Sequence, residues 1–173
     1  MLMRVLTCAA FAVAFTGASL AGPLENGVAA YDEGNYSSAM QLWLPLAEQG
    51  DVVAQFNVGI MYDKGHGVPQ DAVEAARWYQ RAAERGDVIS QFKLGLMYAE
   101  GDGIAQDYDL AARWYLLAAE NNHVRAQFSV GTMYANGQGL AQNLTKATEW
   151  YERADNTSCS FGDIAAANAP RLQ

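Results

Sequence analysis

A 36-residue recurrence constrains this chain more than any other feature. Gln55, Gln91 and Gln127 are 36 apart, and so are Phe56, Phe92 and Phe128. The same step relates Gly59, Gly95 and Gly131, then Met61-Tyr62, Met97-Tyr98 and Met133-Tyr134. The Gly-x-Gly pairs Gly65/Gly67, Gly101/Gly103 and Gly137/Gly139 keep the period, as do Gln70, Gln106 and Gln142. Trp78-Tyr79, Trp114-Tyr115 and Trp150-Tyr151 close each unit with Ala82, Ala118 and Ala154. A fixed period of this length marks an array of supersecondary units, none of which buries its apolar face alone.

Each unit reads as two helices. Val58, Met61 and Tyr62 fall at helical spacing in the first, expected over about residues 52–64. Asp51 stands where an N-cap carboxylate accepts from exposed backbone N–H groups. Gly65 stands where a helix ends in the left-handed region, and Gly67 is expected to let the loop turn. Asp71, Asp107 and Asn143 are positioned to cap the second helices, which carry Ala75, Trp78, Tyr79 and Ala82 on their packing faces. Gly59 lies inside a helix, where glycine costs about 1 kcal/mol relative to alanine. Its recurrence implies close approach by a neighbour, with Trp78 the expected partner.

Residues 24–51 form a degenerate first unit. Ala39, Trp43 and Ala47 align with Ala75, Tyr79 and Ala83, and Glu48-Gln49-Gly50-Asp51 matches Glu84-Arg85-Gly86-Asp87. Its loop is read as five residues shorter, with Tyr31 in the place of Tyr62. Pro45 falls within its second helix and removes one backbone donor. The expected units are 24–51, 52–87, 88–123 and 124–154. A tail over 155–173 follows, with a short helix expected over residues 162–169 to cover the last open face.

The first 21 residues have the form of a secretory signal. Met1–Arg4 give a basic start, Val5–Phe15 an apolar run, and Ser19-Leu20-Ala21 a small-x-small site, so cleavage is expected near Ala21-Gly22. The run is shorter than the roughly 20 residues that span a bilayer. Removal of this segment takes Arg4, its only charged residue, and moves the net charge from −8 to −9. So acidic a chain, with scattered Lys and Arg, does not suit nucleic acid. Cys159 is the only cysteine beyond the leader, which excludes an internal disulfide and leaves the thiol buried, free or cross-linked to another chain.

The string Ala54-Gln55-Phe56-Asn57-Val58-Gly59-Ile60-Met61-Tyr62, then Gly65-x-Gly67-Val68-Pro69-Gln70-Asp71, then Ala75-x-x-Trp78-Tyr79-x-x-Ala82-Ala83-Glu84-x-Gly86-Asp87 resembles the Sel-like repeat, a subgroup of tetratricopeptide-like α/α solenoids. At the third junction Asn121-Asn122-His123 departs from the Gly-Asp pattern. The resemblance implies an all-α, right-handed superhelix of about four helix pairs. It also implies an exported, non-catalytic adaptor or regulator of the bacterial envelope, periplasmic or secreted, that binds a protein or peptide. It carries no catalytic residue, cofactor or metal site.

In the tetratricopeptide register the first helices line an inner face. Val53, Phe56, Ile60, Asp63 and Lys64 then point inward, with Ile89, Phe92, Leu96, Ala99 and Glu100, and with Arg125, Phe128, Thr132, Ala135 and Asn136. The three phenylalanines form either an aromatic ladder for a peptide or part of the repeat core. The positions that vary, Lys64, Glu100 and Asn136 above all, are the better candidates for specificity, because packing does not fix them. An apolar inner face also admits a second copy of the chain.

Two other function classes remain as alternatives. One is a β-lactam or cell-wall hydrolase: Ser90-Gln91-Phe92-Lys93 fits Ser-x-x-Lys, but no Ser-Asp-Asn or Lys-Thr-Gly accompanies it. The other is a secreted protein that engages a host partner through the same scaffold. His66 and His123 lack metal-ligand spacing, and His66 is read as a solvated loop residue.

Overall fold

The computed structural model describes residues 22–167, with side chains through Asn156. Eight helices follow one another without an intervening strand among these residues: α1 (Pro23–Asp32), α2 (Tyr36–Glu48), α3 (Val52–Lys64), α4 (Ala72–Glu84), α5 (Val88–Glu100), α6 (Tyr108–Glu120), α7 (Val124–Asn136) and α8 (Leu144–Ala167). Each packs on its neighbours in sequence, so four helix pairs stack as an all-α solenoid. No helix of the described residues is long and apolar enough to cross a membrane. The expected signal segment and Cys8 lie outside the described residues, as does the side chain of Cys159.

The local signals act as their chemistry requires. The Ala54 N–H donates to Asp51 Oδ1 at 2.8 Å, the Val73 N–H to Asp71 Oδ1 at 2.9 Å, the Asp109 N–H to Asp107 Oδ1 at 2.9 Å and the Lys146 N–H to Asn143 Oδ1 at 2.9 Å. The two recurring glutamines also serve the backbone. Gln70, Gln106 and Gln142 donate to the carbonyls of Asp63, Ala99 and Ala135, near the ends of the first helices. Those carbonyls lack partners within their own helix. Gln55, Gln91 and Gln127 reach across unit boundaries to the carbonyls of Ala47, Ala83 and Ala119 at 3.0–3.2 Å.

The partner of each helical glycine is the tyrosine and not the expected tryptophan. A Cβ on Gly59 would lie 2.7 Å from Tyr79 Cδ1, on Gly95 2.7 Å from Tyr115 Cδ1, and on Gly131 2.6 Å from Tyr151 Cε1. One residue along a helix turns the side chain by about 100°. Trp78 therefore faces the preceding unit, in a core with Ala39, Met40, Trp43, Ala54, Val58 and Met61. In the first unit Gly27 lies against Trp43 in the same way. This pairing corrects the alignment there. The loop holds three residues (Glu33–Asn35) against seven (Gly65–Asp71), four fewer rather than five, and Tyr31 takes the register of Asp63.

The second glycine of each Gly-x-Gly seats on the preceding unit. Gly67 packs on the backbone of Tyr36, Gly103 on that of Ala72, and Gly139 on that of Tyr108, each at positive φ. Close contact between units, more than loop flexibility, is what these glycines provide. His66 is held in the first of these seats and is not a freely solvated residue. Its Nδ1 lies 2.9 Å from Tyr31 Oη, and its ring stacks on Tyr36 with centroids 4.3 Å apart.

The array closes through α8 itself. Ala76, Ala83, Ala112 and Ala119 are buried, while the equivalent positions in the last unit hold Thr148 and Asp155, both exposed. Leu144, at the place where a further Gly-x-Gly loop would seat, is 67% exposed. The separate short helix expected over residues 162–169 is absent, because α8 continues unbroken to Ala167.

At the third junction Asn122 adopts φ 63° where Gly50 and Gly86 stand in the others, and His123 replaces the aspartate cap. The Ala126 N–H donates to His123 Nδ1 at 3.2 Å, which requires a neutral imidazole. Burial and then the neighbouring Arg125 hold the His123 pKa below its ordinary value. A cation at a helix N-terminus also opposes the helix dipole.

Two outcomes follow in urea denaturation. Gly101→Ala should cost about 1–2 kcal/mol for its left-handed φ; Gly103→Ala, which adds a clash with the Ala72 backbone, should cost about 2–4 kcal/mol. Equal losses would refute the seat. The depressed His123 pKa makes the unfolded chain bind the proton first, so this stabilisation is complete above about pH 6.5 and is lost as pH falls through the lower folded value. His123→Asp should flatten the stability difference between pH 7.5 and 5.5; an unchanged slope would rule out the cap.

Candidate functional surface

Helical spacing places residues 53, 57, 60 and 64 on one stripe of α3, and their equivalents on α5 and α7. The burial pattern agrees with that face being open. Val53, Ile89 and Arg125 are exposed, Ile60, Leu96 and Thr132 are half-buried, and Lys64, Glu100 and Asn136 are exposed at the helix ends. The corrected register of the first unit adds Glu25, Val28 and Asp32 on α1.

The three phenylalanines differ in their surroundings. Phe56 is half-buried, tilted against Tyr79 with centroids 6.0 Å apart. Phe92 is only 7% exposed, because His123 stacks on it at 4.6 Å and the Arg125 guanidinium lies 5.2 Å from its centroid. Phe128, which lacks such cover among the described residues, is 60% exposed.

Tyrosines from the second helices lie beneath the stripes, Tyr79 and Tyr115 buried and Tyr151 half-buried. Tyr79 Oη donates to Asp63 Oδ2 at 3.1 Å, and Lys93 Nζ donates to the same oxygen at 3.0 Å. Burial and then the Asp63 carboxylate raise the Tyr79 pKa far above its ordinary value. Tyr115 is pushed up to about 12, by burial and then by Glu100, against the opposing effects of Ser129 and Arg125. Tyr151 Oη lies 3.2 Å from Thr132 Oγ1. Tyr79 and Tyr115 are neutral hydrogen-bonding groups at neutral pH. The Asp63–Lys93 pair makes a polar bar across the middle of the face.

Cavities lie on either side of that bar. One of about 110 Å³ is lined by Val28, Tyr31, Trp43, Asn57 and Ile60. Toward the C-terminal end, one of about 440 Å³ is lined by Phe92, Leu96, Val124, Arg125, Phe128, Ser129, Ala154 and Asp155. An adjoining one of about 280 Å³ shares Phe128 and Ser129 and includes Tyr115 and Thr132. Such mixtures of apolar walls and a few polar groups suit side chains of a bound segment.

The structure thus brings Phe92, Leu96, Arg125 and Phe128 around one cavity, and leaves Lys64, Glu100 and Asn136 at the edge, lining none of the three. Asn57, Lys93 and Ser129 were missed by the sequence reading. Their signal was the one used for Lys64, since this position also changes in every unit. The tyrosines were missed because they recur and so looked like core alone. Ser90 is fully buried with its Oγ enclosed, while Lys93 is engaged with Asp63, so the Ser-x-x-Lys pair makes no dyad in this fold. No group of three or more potential metal ligands occurs among the described residues.

Comparison with known proteins bears on this surface. The Sel1 repeat family model matches residues 20–51, 52–87, 88–123 and 124–154. No curated protein matches the chain. Among solved structures, a Sel1 repeat protein from Oxalobacter formigenes is 37% identical, with TM-score 0.74, over 78% of this chain and 55% of its own. A protective antigen of uropathogenic Escherichia coli strains, displaying an SLR fold, is also 37% identical with TM-score 0.74, over 78% of this chain and 30% of its own. The chain therefore spans only about half or less of these two relatives. Helicobacter pylori cysteine-rich protein B, 18% identical over 71% of this chain and 88% of its own with TM-score 0.56, shares the fold. Proteins built from such repeats are generally protein-binding scaffolds. Four consecutive matched units, with the helix pairs stacked as the repeat demands, show that the chain belongs to the Sel1 repeat family.

Proposed function

We propose that the chain is an exported, non-catalytic scaffold that holds a protein or peptide segment along the inner face of its first helices. One observation carries the reading. Each first helix leaves one large apolar side chain exposed on the inner stripe or beside it: Val28 on α1, Val53 on α3, Ile89 on α5 and Phe128 on α7. Exposed apolar groups on each successive first helix offer apolar contacts to a partner. The Asp63–Lys93 bar supplies fixed polar groups beside them. Export is supported by the signal-like residues 1–21 and by the start of α1 at Pro23, directly after the expected cleavage point. The bacterial relative described as a protective antigen accords with a location outside the cytoplasm.

The binding face is tested by replacing its exposed residues in pairs. Ile89→Ser with Phe128→Ser should weaken a purified partner at least tenfold, as expected for apolar anchors. Val73→Ser, at an exposed residue of α4, should leave affinity unchanged. Equal effects would move the site elsewhere. Intact-mass measurement of the protein from an exporting bacterium should give a mature chain beginning at Gly22, and an unprocessed chain in the cytoplasm would defeat the export reading.

A further inference from the structure

The inner stripe is not uniform in charge, and its pattern describes the partner. On α1 it presents Glu25 and Asp32, both exposed, and neither is in an ion pair among the described residues. In the middle, Asp63 and Lys93 neutralise one another at 3.0 Å, and Lys64 and Glu100 occupy equivalent places on neighbouring helices. On α7 the stripe begins with Arg125, which rests on the Phe92 ring and has no carboxylate within ion-pairing distance among the described residues. Asp155 stands on the α8 wall of the same cavity, off the stripe. The stripe is therefore acidic over α1, neutral over α3 and α5, and basic over α7, with exposed Val53 and Ile89 between the two ends.

Building on the scaffold reading above, we infer that the groove takes a dipolar protein segment, with an apolar centre, a basic end over α1 and an acidic end over α7. Magnitudes support treating the ends separately. First helices of successive units are separated by at least one helix spacing of about 8–10 Å, so α1 and α7 lie about 25 Å or more apart. The screening length at physiological salt is about 8 Å. Each end thus meets its own local charge. A segment with like charges at both ends gains at one and loses at the other. The net charge of −8 adds a long-range pull on the basic end. The cavities beside Val28 and beside Phe128 receive the flanking apolar side chains.

The test uses the mature full-length protein and three fluorescent, end-blocked synthetic peptides of about 15 residues. They share a Leu- and Phe-containing centre and carry Lys pairs at one end and Asp pairs at the other, Lys pairs at both, or Asp pairs at both. The dipolar peptide should bind about three- to tenfold more tightly than either of the others at low salt, with the preference collapsing near 1 M salt. Arg125→Glu, an exposed substitution whose folding is checked by circular dichroism, should make the doubly basic peptide the tightest. If the three bind equally and Phe128→Ser still weakens them, the groove stands and the charge inference is overturned. The same holds if Arg125→Glu leaves their order unchanged. If no peptide binds, both the inference and the groove reading fail.

Discussion

Everything in this architecture depends on the contact between a glycine in each first helix and an aromatic ring in the second. Gly59 against Tyr79, and its three counterparts, let two helices approach until the ring lies on bare backbone. The burial this permits outweighs the helix propensity that glycine loses. It also fixes which way the rest of each unit points. With the tyrosine turned into its own pair, the adjacent tryptophan is directed at the preceding unit. One small residue thus determines both the pair and the stack.

Much of this was legible in the sequence, and the failures have physical causes. Period, caps and unit boundaries are local properties, set by spacing and by the hydrogen-bonding reach of Asp71 or Gly65, so they could be read directly. The choice between Trp78 and Tyr79 as the partner of Gly59 was not legible, because it depends on a 100° difference in direction about the axis of α4. His66 was misjudged for a related reason. Its surroundings come from Tyr31 and Tyr36, which belong to another unit, and nothing in the loop itself reports them. The groove was half legible. Varying positions could be picked out, but not which of them stand beside a cavity, since that depends on how the units are inclined to one another.

The recurrence also hides unequal units. Phe92 is sealed by His123 and Arg125 from the next unit, whereas Phe128 has no such cover, although the two share one place in the period. Position in the array, more than position in the repeat, decides what a side chain does here. The polar bar between Asp63 and Lys93 likewise occurs once, in the middle, since only those two units supply the two charges.

The Gly-x-Gly seats carry a further consequence for how such an array can change length. Each seven-residue loop grips the unit before it, while the first matched unit has a loop four residues shorter whose Gly34 meets nothing nearby among the described residues. In the last matched unit Thr148 and Asp155 stand exposed where the other units bury alanine. An interior unit carries both the grip and the surface to be gripped. Genetic duplication of 36 interior codons would therefore insert one more helix pair and lengthen the inner face, with both termini left as they are.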